Sequence, residues 1–331
     1  MKNPEKAIEL IFDLSIPFEE RCSKIFEFQS LFNSIYGRFI EPFGLKPTDK
    51  PDPQDIPLFP IRGFKDGRIL IETDKEPDLI FKSSGTSNMS RSIHRILSRQ
   101  IYEKAILEEF KKHFPFNEYI VLFHLPGYDQ NPYSSLIWMA NYLIKSDPSG
   151  SSQFVTRENL DELKFQFQNR EKKILLFGAA FGLMDIIESG NFEPVEHLEI
   201  LETGGMKTHR REMTKPELRH ALSDGFDVAT DNIHSEYGMC ELLSQMYATG
   251  GEWFETPHWV QVSIRDPKNP SRICEPGEEG KIGIIDLANI HSCSFILTDD
   301  RGVMDHKGRF KVLGRWNPED LRGCNFLIDH E

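Results

Sequence analysis

A chain of 331 residues can bury a large core, either as one elaborate domain or as two to three subdomains. With 39% hydrophobic, 27% charged and 11% aromatic residues, the composition is that of an ordinary soluble globular protein. The formal net charge of −13 argues against a nucleic-acid backbone or an anionic membrane surface as the main partner. It does not exclude a small polyphosphate, because such a site needs only local backbone donors and one or two cations.

The N-terminal residues MKNPEKAIELIFDLS carry charges throughout and lack the apolar core of a signal peptide. No run approaches the roughly 18 apolar residues of a membrane span, so a cytoplasmic protein without membrane insertion is expected. The five cysteines, Cys22, Cys240, Cys274, Cys293 and Cys324, are odd in number and irregularly spaced. That speaks against a disulfide framework, and the lack of a C-x-x-C pair rules out a zinc ribbon.

From Pro17 to Ile40 the apolar residues Ile25, Phe28, Phe32, Ile35, Tyr36 and Phe39 share one helical face. Six prolines between Glu41 and Pro60 then enforce an extended connector. Strand, turn and helix alternate from Leu79 onward. DLIF is a short strand and SSGTS a turn. Ile93, Leu97, Ile101, Ala105, Ile106 and Phe110 predict an amphipathic helix. EYIVLFHL, KKILLFGAAF and HLEILETGG read as buried strands, and SSLIWMANYLI as a helix. This alternation predicts an α/β fold, a mostly parallel sheet flanked by helices. After about Gly250 the pattern changes. WVQVSIR alternates, and GKIGIIDLANI, CSFILTDD and GRFKVLGR are split by PGEEG and DHKG. These predict a small antiparallel β subdomain near the C-terminus.

LIFKSSGTSNMSRS, from Leu79 to Ser92, has six hydroxyl residues around one glycine. A strand, a Ser/Gly/Thr turn and a helix N-terminus would together make an anion site. A polar helix cap is the alternative, and the Walker spacing is absent. LETGGMK (Leu201 to Lys207), HSEYGMCELLSQ (His234 to Gln245) and FILTDDRGVMDHKGRFKVLGR (Phe295 to Arg315) follow in that order.

These four stretches, in this order, resemble the adenylate-forming acyl-activating superfamily. The closer resemblance is to the branch of phenylacetate–CoA ligases and LuxE-type acyl-protein synthetases. IPLFPIRGFK, LETGGMK, EYGMCELLSQMY and GRWNPEDLRGC look like the LuxE type. The resemblance implies that Ser83, Ser84, Gly85, Thr86 and Ser87 cradle the ATP phosphates. It implies that Gly204, Gly205 and Met206 line the adenine, and that Tyr237 and Gly238 pack on the nucleotide. Glu241 would hold Mg²⁺, Asp300 the ribose hydroxyls, and Arg315 the ribose or phosphate at the hinge. A carboxylate suits a hard cation that bridges phosphates.

The implied activity is ATP-dependent activation of a carboxylic, fatty acid as acyl-adenylate, with transfer to a thiol. The acceptor would be Cys324 in LRGCNF, CoA, or a carrier or partner protein. Alternatives are a degenerate nucleotide- or acyl-binding partner subunit and a ligase of the phenylacetate–CoA type. Three segments are implied: N-terminal helices with the Pro-rich connector (1–60), a nucleotide- and acyl-binding core (61–250), and a β subdomain ending at the hinge (251–331).

Several positions depart from the superfamily. Asn88, Met89, Ser90 and Arg91 follow Ser87 where Thr-Gly-x-Pro-Lys is usual, with Arg91 the nearest cation. Cys240 stands for Thr, Asp299 for Gly, and Asn317 for the hinge aspartate. Sixteen residues follow Arg315, so the C-terminal lid is expected to be truncated or absent.

His124 and Asp129 have the H-x-x-x-x-D spacing of glycerolipid acyltransferases, but among eleven histidines a satisfied core residue is the favoured reading. Asp299 and Asp300, as strand neighbours, are expected to face opposite ways. FGAAFGL (Phe177 to Leu183) suits either an acyl pocket or tight helix–sheet packing.

Overall fold

A computed structural model describes residues 4–83, 91–127, 131–157, 159–160, 171–190, 195–204 and 213–316. Two sheets organise them. The larger has six strands in the order β5 (Gln153–Phe154), β4 (Tyr119–His124), β6 (Lys173–Ala179), β7 (Leu198–Thr203), β8 (Ile233–Tyr237) and β9 (Met246–Ala248). Every neighbouring pair is parallel except β8 and β9. The central strands are buried along almost their whole length, which explains why they read as apolar runs without alternation.

Helices cover both faces. On one side α4 (Arg99–His113) and α5 (Ser135–Ser146) bury Ile101, Ala105, Met139 and Ala140 against Val121, Phe123, Leu175, Phe177 and Leu201. On the other, α6 (Ala180–Glu188) and α7 (Lys215–Phe226) bury Leu183, Leu218 and Leu222 against Ile120, Leu122, Ile174 and Ile200. Thr214 and Glu217 form a capping box that starts α7.

The second sheet runs β1 (Phe59–Pro60), β12 (Phe295–Met304), β11 (Gly280–Asp286) and β10 (Val260–Arg265), with β13 (Phe310–Arg315) also on β12. It is antiparallel except where β1 joins β12. β12 is long enough to pair with β1 at Ile296 and Leu297 and with β13 from Asp300 to Met304. In β10, Val260, Val262 and Ile264 are buried and Gln261 is exposed, the alternation read from WVQVSIR.

Two expected helices differ. The stretch from Pro17 to Ile40 is not one helix but α2 (Phe18–Phe32) and α3 (Ser34–Ile40). Asn33 divides them: its Oδ1 accepts from Ile35 N and Tyr36 N, capping α3, while its Nδ2 donates to Ser292 O at 2.6 Å. Gln29 also reaches this segment, donating to Asn289 O and Ile290 O at 2.9 Å each. These helices are therefore tied to the chain entering β12.

The second difference bears on function. Ile93 does not begin a helix. β2 (Leu79–Lys82) and β3 (Ile93–Ile96) form an antiparallel hairpin, and α4 starts only at Arg99. Ile93 and Ile96 belong to a strand in IHRI, and the helical spacing from Leu97 onward masked the change of period. The hydroxyl-rich stretch thus lies in sequence between two paired strands and is followed by a strand, not by a helix N-terminus, so the expected dipole contribution is missing.

FGAAFGL is resolved in favour of packing. A Cβ on Gly178 would stand 2.6 Å from Leu183, and one on Gly182 would stand 2.8 Å from Pro126. His124 is buried beside them with Nδ1 3.2 Å from Val155 O, a satisfied core histidine. Asp129 lies outside the described residues.

Candidate active site at the junction of two sheets

The C-terminal ends of β7 and β8 meet the second sheet through Tyr237. Its hydroxyl donates to Asp300 Oδ2 at 2.7 Å, and its ring packs against Phe254 and Phe310 at centroid distances of 5.9 and 5.7 Å. Arg315, paired with Asp300 across β12 and β13, brings Nε to 3.3 Å from Asp300 Oδ1. Burial raises the Asp300 carboxyl above the usual carboxylate range, while Tyr237 and Arg315 oppose the shift. Arg315 is 85% exposed, so it is the partner that a ligand can displace most easily. Asp299 faces the other way, 2.7 Å from Arg62 Nε and 3.2 Å from Lys281 Nζ.

Past Tyr237 the chain turns at Gly238. A Cβ there would stand 2.4 Å from Glu236 Oε1, so a side chain at this position would displace that carboxyl. Gly204 ends β7 with φ +73°, one residue beyond the Thr203–Glu236 register pair. Glu241 is buried in the turn. Burial raises its carboxyl; a hydrogen bond from the Ser92 side chain and the charge of Arg315 lower it, and the charge of Asp300 raises it.

The hairpin is fastened to the same turn. Ser83 N donates to Ser92 O at 3.0 Å, and Ser92 N donates to Ser83 Oγ at 2.9 Å. His94 lies one step further along β3. Its Nδ1 donates to Cys240 O at 2.8 Å, leaving Nε2 to accept from Ser292 Oγ at 2.8 Å. Burial pushes His94 down to about 4, so the ring is neutral and this pattern is fixed. The roots of the Ser/Thr loop, Ser83 and Ser92, are thereby held beside Glu241.

Asp286 braces the turn from β11. It accepts from Leu243 N at 3.0 Å, Ser244 N at 3.1 Å, Ser244 Oγ at 2.7 Å and Ala288 N at 3.0 Å.

Ser83, Tyr237, Gly238, Glu241, Asp300 and Arg315 therefore converge on one junction, with Gly204 at the end of the adjoining strand. Ser84, Gly85, Thr86, Ser87, Gly205, Met206 and Cys324 lie outside the described residues, as do Asn317 and the segment expected to lack a lid. The sequence reading missed Ser92, His94 and Asp286. His94 shows only as a polar residue inside an apolar alternation, and Asp286 only as an acid closing an apolar run.

Comparison with known proteins defines the class. The fold matches 2-hydroxyisobutyryl-CoA ligase, solved with an acyl-AMP, with a TM-score of 0.68 at 12% identity over 90% of this chain and 67% of that one. ATP-bound MatB from Rhodopseudomonas palustris matches with a TM-score of 0.53 at 13% identity, over 74% of this chain and 49% of its own. The architecture is thus that of adenylate-forming enzymes.

The family model for the acyl-protein synthetase LuxE matches residues 132–331, and the chain belongs to that family. A long-chain-fatty-acid–luciferin-component ligase from Vibrio harveyi is 24% identical over 320 residues, covering 88% of this chain and 82% of its own. The ligase of the same name from Aliivibrio fischeri is 24% identical over 298 residues. Family and fold together define an enzyme that uses ATP to activate an acyl group through an acyl-adenylate. Among the described residues, no helix is long and apolar enough to cross a membrane.

Proposed function

We propose that this chain adenylates a long-chain fatty acid and passes the acyl group to the thiol of Cys324. The observation that carries the reading is the convergence of Tyr237, Asp300, Arg315 and Glu241 on the roots of the hydroxyl-rich loop. The names of the two curated ligases support the acid class. In the first step a carboxylate oxygen of the acid attacks the α-phosphorus of ATP, forming the mixed anhydride and releasing pyrophosphate. In the second the thiolate attacks the acyl carbon, a thioester forms, and AMP leaves.

The chain's own residues divide the work. Asp300 accepts from the ribose hydroxyls once Arg315 swings out to the phosphates. Tyr237 and Gly204, with Gly205 and Met206, flank the adenine, and Ser83 to Ser87 donate to the phosphates over Gly85. A buried carboxylate hydrogen-bonded to the Ser92 side chain and to its own backbone N–H suits one ligand of Mg²⁺, an ion that would draw its other ligands from phosphates and water. When bound, that ion would neutralise phosphate charge as pyrophosphate departs.

The four described cysteines support a separate acceptor. Burial raises the thiols of Cys22 and Cys293 to about 12, and also raises those of Cys240 and Cys274. The test is incubation with ATP, Mg²⁺ and a panel of fatty acids, read by pyrophosphate exchange and by intact mass. A hydroxylamine-labile adduct is expected in wild type and not in Cys324→Ser, with exchange retained in both. An adduct surviving the substitution would remove Cys324, and no exchange with any acid would sink the activity.

A further inference from the structure

Tyr237 and Glu236 are strand neighbours and therefore face opposite sides of β8. Tyr237 turns to Asp300 and the second sheet. Glu236 turns inward, toward Tyr102 of α4. Thr203 Oγ1 donates to its Oε2, and its Oε1 sits beneath the Gly238 backbone. Among the described residues it has no other hydrogen bond.

The charged and titratable groups around Glu236 include one cation, and that one is already paired with another carboxylate. From α4 comes Tyr102 and from β9 Tyr247, both buried phenols. From β7 comes Glu202, a like charge, and at the start of α7 stands Lys215. Lys215 is itself joined to Glu202. Two further buried polar atoms close by in sequence, Gln245 Oε1 and Tyr247 Oη, have no hydrogen-bond partner. Buried polar groups are usually paired, so a carboxyl with one donor and two orphaned neighbours marks a place where a ligand supplies the remainder.

Given the acid-activating reading above, we propose that Glu236 contacts the acid substrate as a neutral carboxyl and selects its binding, donating its proton toward the substrate's carboxylate. Tyr237 then serves the nucleotide on one side of the strand end, and Glu236 the acid on the other. Burial, opposed by Thr203 and reinforced by the charge of Glu202, raises the Glu236 carboxyl to about 7. Below that pH it is neutral; above it, it carries a second negative charge beside the carboxylate that must bind.

The sign is therefore fixed: acid binding weakens as pH rises through 7. Between pH 6 and pH 8.5 the apparent dissociation constant of the acid should rise about thirtyfold, as a single ionisation requires.

Calorimetric titration of the full chain with dodecanoate, in two buffers of different ionisation enthalpy, tests this. At pH 8 binding should take up about one proton, and at pH 6 almost none. Glu236→Gln should remove both the uptake and the pH dependence. Thr203→Val, which removes the one bond that favours the charged form, should move the weakening to higher pH. It also keeps the test open if the glutamine variant does not fold. Binding without proton uptake at pH 8, or uptake unchanged in Glu236→Gln, overturns the proposal. Uptake with no pyrophosphate exchange supports it and sinks the adenylation reading. No binding of dodecanoate overturns both.

Discussion

Glu199 and Glu236 stand on the adjacent parallel strands β7 and β8, near opposite ends of them, and the protein holds them at about 2 and about 7. Burial raises both. At Glu199 it is outweighed by hydrogen bonds from His234 Nε2 at 3.0 Å, Lys173 Nζ at 2.7 Å and Tyr119 Oη at 2.9 Å. Gly250 N donates to His234 Nδ1 at 2.9 Å, so the imidazole proton stays on Nε2 and points at Glu199. At Glu236 one threonine hydroxyl opposes burial, and a nearby glutamate adds to it. The number and charge of the donors decides ionisation, not depth. The end away from the junction is saturated, as a stabilising network should be; the end at the junction is left short, as a site awaiting ligands should be.

The largest test of that contrast is Glu241→Ala. It should cut pyrophosphate exchange at least about a hundredfold, because a metal ligand is worth several kcal/mol at the transition state. Its urea unfolding curve should stay close to wild type. Wild-type exchange in the variant would take Glu241 out of the site.

Glu199→Gln should do the reverse. A loss of about 2 kcal/mol is expected at neutral pH, since Lys173, His234 and Tyr119 lose their shared charged acceptor, while exchange is unaffected. The depressed carboxyl contributes stability above its unfolded value, near 4, and loses it as pH falls through about 2. The gap between wild type and variant in denaturation midpoint should therefore be full at neutral pH and close between about pH 4 and pH 2. A gap independent of pH would show that the lost stability is packing rather than charge.

Asp300→Asn should raise the KM for ATP about tenfold, the worth of a charge-assisted hydrogen bond, with a smaller effect on the KM for the acid. Equal effects on both would mean that Asp300 serves the junction and not the nucleotide.

His94→Gln should give the smallest change. About 1 kcal/mol of stability is expected to be lost, because glutamine keeps a donor for Cys240 O. His94→Phe should in addition lower kcat, since the hairpin and the Glu241 turn would then move independently. A phenylalanine variant with unaltered kcat would confine His94 to packing.

How much of this was readable in advance depended on the range of each interaction. Local period and residue order sufficed for the alternating strands and helices, the change of character after Gly250, the opposed faces of Asp299 and Asp300, and the family resemblance. A side-chain period of 2 or 3.6, or a motif of a few adjacent residues, is written within a short window of chain. The hairpin β2–β3 was not legible, because Ile93 and Ile96 fit the helical spacing of α4 equally well and only their pairing with Lys82 and Leu79 separates the two states. The break at Asn33 depends on Ser292, far along the chain. His94, Asp286 and Glu236 were invisible as functional groups for the same reason. A histidine or a carboxylate in a sequence has its solution chemistry; burial and the count of donors from distant strands give it the chemistry it has here, and only the assembled tertiary structure supplies those.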